Sequence, residues 1–545
     1  MATDRIADIC LILEGTYPYV SGGVSTWVHQ LINAFPEWTF EICYLGGKRD
    51  PEAQYKYTIP PNVIGISEIY LFDTAPARVL SARRTVPAVW KPFYAALRKL
   101  FVHLPDGSRS DWDQLVLLLD QIAEQNSVPF DTFWHDEQTW KVLTELYERY
   151  AADESFLHFF WSTRYLVEPL WKLAQALPTI PKARLYHTAC TGYAGIASAL
   201  MASKTGKPLL VSEHGIYLRE RIQDIYRSTW IPEFMPLHAG LSEPLGTFRR
   251  LWISFFDLLG RFCYQASSQM VSLFGLNARL QEHFGADSEK ITIIPNGIGI
   301  EFCNAWHEQR AARRSQIPDS KVVGFLGRVV PIKDVKTLLR AARLVCDTLP
   351  DARFWIVGPT DEDADYYQAC VTLTTELGLT GQVEFLGLRR RDDMLPQFDI
   401  MVLTSISEGL PFVAIEAMAS GIPLVSTDVG ACPELVHGLP TEQPTLGPAG
   451  LIAEVGNAQQ IARALVQILT QKELAAQMSS AGRRRAQAYY DEKTTLAAYR
   501  ELYSRMMSVP TKLPSSKSSN TTTMPTPLKS DLNSAVVDTS ISTQP

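Results

Sequence analysis

The chain has 545 residues, a length typical of three or four domain-sized units. A hydrophobic fraction of 46% is ordinary for a globular protein, and a formal net charge of −7 leaves no basic footprint for nucleic acid. The 8 cysteines form no C-x-x-C pair, no apolar run reaches the roughly 18 residues of a membrane span, and no signal peptide is recognisable, so we expect a cytoplasmic enzyme.

The first predicted domain covers residues 1–300 and has the pattern of a doubly wound α/β fold. Strands are expected at 6–13, 41–45, 184–187, 208–212, 269–273 and 290–294, with a helix at 24–35 after the first. The loop between the first strand and this helix contains Gly22 and Gly23. The turn at 295–298 predicts the start of a hinge to a second domain.

Residues from about 73 to 181 interrupt this pattern. They are rich in Trp, Tyr, Phe and Leu at helical spacing, and turns are expected at 105–107 and 127–129. We predict a mostly helical insertion within the first domain. Its aromatic residues suit the packing of a core, and the alternative is a lid or a partner surface.

The second predicted domain, residues 301–485, alternates strands and helices more regularly. Strands are expected at 321–327, 354–358, 383–386, 399–403 and 423–426, with helices at 335–345, at 366–377 and from residue 411 onward. This spacing predicts a parallel sheet with right-handed crossovers. Ligands of such sheets bind outside the carboxyl ends of the strands.

The C-terminal part of the chain is predicted to contain a helix followed by a tail of different composition. A helix is expected over about 491–507, and after it Ser, Thr and Pro dominate while large apolar residues are nearly absent. We predict a disordered tail over 509–545, because such a composition cannot bury a core.

Two carboxylates, Glu408 and Glu416, stand eight residues apart in the segment S-E-G-L-P-F-V-A-I-E. The first lies in the loop after a predicted strand and the second in the following helix, which we expect to open at Pro411, a good first helical residue. Two carboxylates beside a helix N-terminus would repel phosphate, so they suit hydrogen bonds from sugar hydroxyls. The alternative for Glu416 is a solvated helix carboxylate.

Two cations, Arg328 and Lys333, follow the first strand of the second domain in G-R-V-V-P-I-K-D. Arginine can bind two oxygens at once and lysine supplies a mobile charge, so the pair suits a diphosphate. Charge builds on a departing diphosphate, which these cations would stabilise in the transition state. The alternative is an ordinary surface Arg and Lys in a loop.

These elements together resemble the motifs of the retaining family-4 glycosyltransferases, over residues from about 8 to about 505. The runs E-G-T-Y-P-Y-V-S-G-G-V-S-T-W and S-E-H-G-I-Y-L-R-E-R narrow the resemblance to the glycosyltransferases of Pel exopolysaccharide systems. The family implies a GT-B fold, in which two Rossmann-like domains face a cleft and a final helix, here residues 486–508, crosses back to the first domain.

The resemblance also implies site residues. The implied catalytic residues are His214, Arg328, Lys333 and Glu408, and the implied donor-binding residues are Gly22, Gly23, Arg328, Lys333, Gly409, Leu410 and Glu416. Glu416 would bind the ribose, Glu408 the donor sugar, and His214 would lie at the sugar and acceptor face. Glu213 could orient that imidazole, and at least one of Arg219, Glu220 and Arg221 could reach the ligand. The alternative for His214 is a structural role, and the alternative for Gly22 and Gly23 is a plain tight turn.

The implied reaction is transfer of a hexose, UDP-linked in our expectation, with retention of configuration and without metal or cofactor. The implied partners are the nucleotide sugar, a polysaccharide acceptor and a membrane-embedded synthase complex that would hold the protein at the inner membrane. Two alternatives stay open: a sugar-nucleotide epimerase, which needs no acceptor, and a non-catalytic subunit that senses a nucleotide sugar. A dehydrogenase is less favoured because the G-x-G-x-x-G fingerprint is missing.

Overall fold

The computed structural model describes residues 6–73, 93–95, 97–98, 112–124, 128–231 and 246–508. The predicted turn at 105–107, the first residue of the turn at 127–129 and the predicted tail at 509–545 lie outside the described residues. By its internal contacts the chain divides into two compact units. The first unit comprises 1–272, 278–292 and 502–545, and the second comprises 273–277 and 293–501.

The first unit contains a 7-stranded sheet in the order β3-β2-β1-β4-β5-β6-β7 within the described residues. The strands are β1 Ala7–Glu14, β2 Phe40–Gly46, β3 Val63–Tyr70, β4 Ala183–Thr188, β5 Leu209–Glu213, β6 Gln269–Ser272 and β7 Ile291–Ile293. The pairs from β3 through β6 are parallel, as the alternation of strands and helices predicts. The strand order reverses direction between β1 and β4.

Helices cover the faces of this sheet and form the insertion. They are α1 Gly23–Ala34, α2 Trp112–Glu124, α3 Phe130–Trp134, α4 Glu137–Tyr150, α5 Phe156–Ala176, α6 Tyr193–Thr205, α7 Tyr217–Arg227, α8 Thr247–Ala266 and α9 Gly275–His283. The last of these begins in residues assigned to the second unit. The central strands are buried on both sides, which explains their continuous apolar runs.

The predicted helical insertion is confirmed where the structure describes it, in α2 to α5. Its core is aromatic, with the rings of Phe133 and Trp171 stacked 4.3 Å apart and both side chains fully buried. Packing therefore accounts for these two residues. Trp140, Trp161 and Tyr165 are about half exposed and are not explained by the core.

The second unit contains a 6-stranded sheet in the order β10-β9-β8-β11-β12-β13 within the described residues. The strands are β8 Val322–Leu326, β9 Arg353–Val357, β10 Val383–Gly387, β11 Ile400–Leu403, β12 Leu424–Thr427 and β13 Gly450–Ala453, and all their pairings are parallel. The helices are α10 Ile300–Gln316, α11 Val335–Thr348, α12 Ala364–Glu376, α13 Arg391–Met394, α14 Phe412–Ala419, α15 Cys432–His437, α16 Ala458–Thr470, α17 Lys472–Tyr489 and α18 Glu492–Ser508.

A buried charge network fixes the start of β11. The Asp399 carboxylate accepts hydrogen bonds from Arg313 at 2.6 Å and Arg314 at 2.8 Å on α10. Its second oxygen accepts from the backbone N–H of Val322 at 2.9 Å. The carboxylate is 2% exposed, so the two guanidinium groups compensate a charge that would be costly alone. The network ties β11 to β8, and the loops after these two strands carry the predicted site.

The helix α18 is divided between the units: residues 492–501 group with the second and 502–508 with the first. Within the first unit, Tyr503 is fully buried and its hydroxyl lies 2.7 Å from Nδ1 of His187. No helix in the described ranges is long and apolar enough to cross a membrane.

Two strands were missed from sequence. The strand β3 lies at the edge of its sheet and is only half buried, so Ser67 and Glu68 break its apolar pattern. The strand β13 has only four residues, G-L-I-A, which is too short for a periodic signal. The prediction that Pro411 is the first residue of the helix after β11 is wrong by one position: the helix begins at Phe412, and Pro411 is its N-cap.

Candidate functional site

The loops after β8 and β11 bring together a lysine and a glutamate from the two predicted motifs. Lys333 Nζ lies 2.5 Å from Glu408 Oε1, and both side chains are largely buried. The hydroxyl of Ser405 donates to the same carboxylate oxygen at 2.5 Å. The cation and the carboxylate are therefore fixed next to each other.

Backbone and hydroxyl hydrogen bonds hold these two loops in place. The N–H of Ile406 donates to the carbonyl of Ile332 at 2.8 Å, and the Thr404 hydroxyl donates to the carbonyl of Lys333 at 3.0 Å. The Thr427 hydroxyl, on β12, donates to the carbonyl of Ser405 at 2.6 Å. Because these bonds fix the main chain, the Lys333 and Glu408 side chains project from a rigid base.

Close backbone contacts require glycine at Gly430. Its φ is +54°, and a Cβ there would lie 2.2 Å from the carbonyl oxygen of Glu408. The next N–H, of Ala431, donates to the carbonyl of Gly409 at 2.9 Å. The loop after β12 therefore packs directly on the loop of Glu408, which leaves no room for a side chain.

Glu416, on α14, is 5% exposed. One carboxylate oxygen accepts a hydrogen bond from Arg391 at the start of α13, and the other, Oε2, has no partner in the part of the chain that the structure describes. Burial raises the pKa of Glu416 to about 7, although Arg391 opposes this shift. A buried oxygen without a donor is a place where a ligand hydroxyl would be stabilised.

Arg328 is positioned differently from Lys333. Its guanidinium lies 2.5 Å from the carboxylate of Glu362, and both side chains are about half exposed. Glu362 belongs to the D-E-D-A-D segment, where Asp363 caps α12 by accepting from the N–H of Tyr366. An exposed ion pair of this kind is weak, and an anion could replace Glu362 at little cost.

Gly409 and Leu410, which follow Glu408, differ in how accessible they are. Leu410 is 4% exposed and its side chain belongs to the core. Its carbonyl accepts a hydrogen bond from the amide of Asn296 at 3.2 Å. If Leu410 contacts the donor sugar nucleotide, it therefore does so through backbone groups other than this carbonyl. Gly409, in contrast, is partly exposed.

In the first unit, Gly22 and Gly23 lie where α1 begins. Gly22 is the N-cap with φ of 173°, an extended conformation that any residue adopts. A Cβ at Gly22 would have no atom within 4 Å. Neither backbone strain nor crowding within the protein therefore explains a glycine at this position, and open space of this kind permits close approach of a ligand.

His214 follows β5 and its ring lies 4.4 Å from that of Trp27, measured between ring centroids. Its Nε2 is buried and has no hydrogen-bond partner among the described residues. Burial lowers the pKa of His214 to about 4, so the imidazole is neutral at pH 7. A neutral imidazole can accept or donate one hydrogen bond to a hydroxyl.

The expected contact between Glu213 and His214 is wrong. The Glu213 carboxylate is fully buried and accepts from Tyr264 at 2.5 Å, from Gln281 at 3.0 Å and from Thr191 at 3.1 Å. The backbone N–H of Tyr217 also donates to this carboxylate, at 3.4 Å, so each oxygen accepts two hydrogen bonds and no lone pair is left for the imidazole. Of the neighbouring charges, Arg221 pairs with Asp224 at 2.8 Å on the helix α7.

Four residues near the second-unit site were not identified from sequence. Arg391 stands among neighbouring charged residues, and Asn296 was interpreted only as part of a turn. Gly430 follows a strand in T-D-V-G-A, where a glycine indicates only a turn. Ser405, three residues before Glu408, was the only one of these contacts that spacing alone could have suggested.

The site lies at the carboxyl edge of a parallel sheet in one of two Rossmann-like domains. This architecture is the GT-B fold, and solved structures support the assignment. HepE (Alr3699) of Anabaena in complex with UDP aligns with a TM-score of 0.55 at 15% identity, covering 91% of this chain and 100% of that one. Sucrose-phosphate synthase of Thermosynechococcus elongatus aligns with a TM-score of 0.54 at 17% identity, covering 92% and 99%.

Sequence comparison then gives the family. Residues 7–289, just over half of the chain, match the family described as "Domain of unknown function (DUF3492)", and the chain belongs to this family. Residues 308–485 match the family described as "Glycosyl transferases group 1". This second match contains Arg328, Lys333, Glu408 and Glu416.

Curated relatives are similar over part of their length. The D-inositol 3-phosphate glycosyltransferase of Streptomyces scabiei (strain 87.22) is 28% identical over 238 residues, which is 42% of this chain and 51% of that protein. The protein of the same name from Mycobacterium sp. (strain KMS) is 34% identical over 159 residues, or 28% and 35%. The chain thus spans about half the length, or less, of these relatives.

Proposed function

We propose that this protein is a retaining glycosyltransferase that transfers a hexose from a UDP-linked sugar to a growing exopolysaccharide. The observation that carries the proposal is the contact between Lys333 and Glu408. It joins a cation suited to diphosphate with a carboxylate suited to sugar hydroxyls, inside the segment that matches glycosyl transferases group 1.

In the proposed reaction the donor diphosphate binds Lys333 and Arg328. The diphosphate takes the place of the half-exposed Glu362 on Arg328, whereas Lys333 is shared between the diphosphate and Glu408. Charge develops on the β-phosphate oxygen as the glycosidic bond breaks. The fixed ammonium of Lys333 stabilises that charge more strongly in the transition state than in the ground state, which accelerates the bond cleavage.

Glu416 is proposed to bind the ribose. Its free oxygen, Oε2, accepts a hydrogen bond from one ribose hydroxyl. For the second hydroxyl to bind Oε1, the half-exposed Arg391 moves aside. Glu408, fixed by Ser405 and Lys333, accepts from hydroxyls of the sugar that is transferred.

Retention of configuration follows in this proposal from attack on the same face that the diphosphate leaves. The acceptor hydroxyl approaches beside the departing phosphate, whose oxygen takes the hydroxyl proton. His214, neutral at pH 7, is proposed to hold a sugar or acceptor hydroxyl through its unpartnered Nε2. No enzyme nucleophile is needed for this route.

For the acceptor we propose a polysaccharide of the Pel type. The support is the resemblance of the segments around Gly22 and His214 to PelF, the glycosyltransferase of Pel systems. On this proposal the protein acts in the cytoplasm and is held at the inner membrane by a membrane-embedded synthase complex.

The experiment is a panel of UDP-, GDP- and ADP-linked sugars without added metal, with binding by calorimetry and nucleotide release by a coupled assay. Wild type and Glu416→Ala are compared, with Glu384→Ala as a control for an exposed glutamate on β10. We expect one donor to bind and to release its nucleotide slowly, and the binding to weaken in Glu416→Ala only.

Three results contradict the proposal in different ways. If no nucleotide sugar binds, the proposed donor site is wrong. Binding without nucleotide release, even with added oligosaccharide acceptors, favours a sensing subunit. Conversion of the bound sugar to its epimer without an acceptor identifies an epimerase instead.

A further inference from the structure

A group of tyrosines at the carboxyl edge of the first sheet is not used by the proposed mechanism. The rings of Tyr19, after β1, and Tyr44, on β2, are edge-on with centroids 4.8 Å apart. Tyr55, in the loop after β2, lies 5.1 Å from Tyr19, and Tyr70 ends β3. The tyrosine cluster, as we define it, consists of Tyr19, Tyr44, Tyr55, Tyr70, Arg49 and Glu68.

The polar centre of the tyrosine cluster is Glu68. The Tyr19 hydroxyl donates to one carboxylate oxygen, and the Tyr70 hydroxyl donates to the other at 3.1 Å. The Arg49 guanidinium lies 3.6 Å from this carboxylate and 4.8 Å from the centre of the Tyr70 ring. The negative and positive charges are thus balanced within the cluster.

The cluster is tightly packed at its base and open at its surface. A Cβ at Gly46 would lie 2.8 Å from ring carbons of both Tyr44 and Tyr70, so these rings pack over a glycine. Tyr55 is 45% exposed. The Arg49 side chain is 60% exposed. Donors, acceptors and ring surface are therefore accessible together.

We propose that the tyrosine cluster binds one pyranose unit of a saccharide, and, resting on the proposed function, that this unit belongs to the acceptor. An aromatic ring offers an apolar surface to the C–H groups of a pyranose, while Glu68 and Arg49 accept from and donate to its hydroxyls. Glu68 disfavours a phosphate and Arg49 disfavours a cation, so the balanced charges select a neutral polyol. The carboxyl edge of a parallel sheet is where ligands of such folds bind.

The test is calorimetric titration of the full chain with cellotetraose and with chitotetraose. The variants are Tyr55→Ala and Arg49→Gln, and the control is Tyr165→Ala, a tyrosine on α5 that is 50% exposed. We expect at least one tetrasaccharide to bind wild type and the control equally. Its Kd should rise roughly tenfold or more in both cluster variants, because ring contact and charged hydrogen bonds are lost.

Thermal unfolding of each variant shows whether it folds; Arg49→Gln changes an exposed side chain and is expected to unfold as wild type does. No binding of either tetrasaccharide to wild type overturns the proposal, as does equal binding by wild type and Arg49→Gln. UDP titration of wild type separates the two proposals. UDP binding without tetrasaccharide binding contradicts only the proposed saccharide subsite. Tetrasaccharide binding without UDP binding contradicts only the proposed donor site.

Discussion

Lys333 and Glu408 are 75 residues apart in sequence, yet Nζ and Oε1 lie 2.5 Å apart. The loops that carry them follow β8 and β11, which are neighbours in the sheet. The cation of the proposed diphosphate site therefore lies against the carboxylate of the proposed sugar site. A donor that binds here has to share Lys333 with Glu408.

Replacement of Lys333 should affect turnover more than binding. In Lys333→Ala the developing charge on the leaving diphosphate loses its fixed cation, and we expect kcat to fall by about 100-fold or more. The Kd for the donor should rise less, because Arg328 still binds the diphosphate. Lys336→Ala, three residues further along on α11, is the control and should retain wild-type kcat. A loss confined to KM in Lys333→Ala would contradict the assigned role.

Much of this arrangement was predictable from sequence, because spacing reports local structure. The apolar strands before Arg328 and Glu408 predict two parallel strands, and their carboxyl ends must share one edge. The contact of Arg391 with Glu416 was not predictable, because it depends on the path of the loop after β10. The hydrogen bonds that Glu213 makes in place of one to His214 were not predictable either, because their donors, Tyr264 and Gln281, lie on other elements.

The raised pKa of Glu416 predicts that stability depends on pH. Burial raises this pKa from 4.5 to about 7, so between these values the folded protein holds a proton that the unfolded chain has released. Stability contributed by this group is therefore present below pH 4.5 and is lost as pH rises toward about 7. The unfolding midpoint of wild type should fall relative to Glu416→Gln between pH 5 and pH 8.

The same titration should affect the donor. Ionised Glu416 accepts two hydrogen bonds from ribose, and the protonated form offers less, so we expect UDP affinity of wild type to weaken below about pH 7. Glu416→Gln should bind more weakly at pH 8 and show little of this pH dependence. Calorimetry at pH 6 and pH 8 measures both. Parallel pH profiles for the two proteins would show that another group is responsible.

Gly430 should be intolerant of any side chain. In Gly430→Ala the new Cβ would lie 2.2 Å from the carbonyl oxygen of Glu408, so the loop has to move and kcat/KM should fall by roughly 100-fold. Gly378→Ala is the matched control, because Gly378 also has a positive φ, +65°, but has no atom within 4 Å of the added carbon. Both variants carry backbone strain of about 1 kcal/mol, and only the first disturbs the site. Equal activity in the two would argue that the position of the Glu408 loop is unimportant.

Removing the charge of Asp399 should destabilise the second unit. Asp399→Asn leaves Arg313 and Arg314 near a neutral amide, and breaking a buried ion pair in this way costs about 3 kcal/mol or more. Asp319→Asn is the control, because the Asp319–Lys472 pair is exposed. Denaturant unfolding of both variants measures the difference, and a similar small loss in each would show that the buried network contributes little.

The most direct test of the proposed donor site is a crystal structure of the protein with UDP bound. We predict that the diphosphate lies within hydrogen-bond distance of Lys333 and Arg328, and that the ribose hydroxyls bind Glu416 with Arg391 displaced. UDP bound elsewhere on the chain, with the Lys333–Glu408 and Arg391–Glu416 contacts intact, would contradict it.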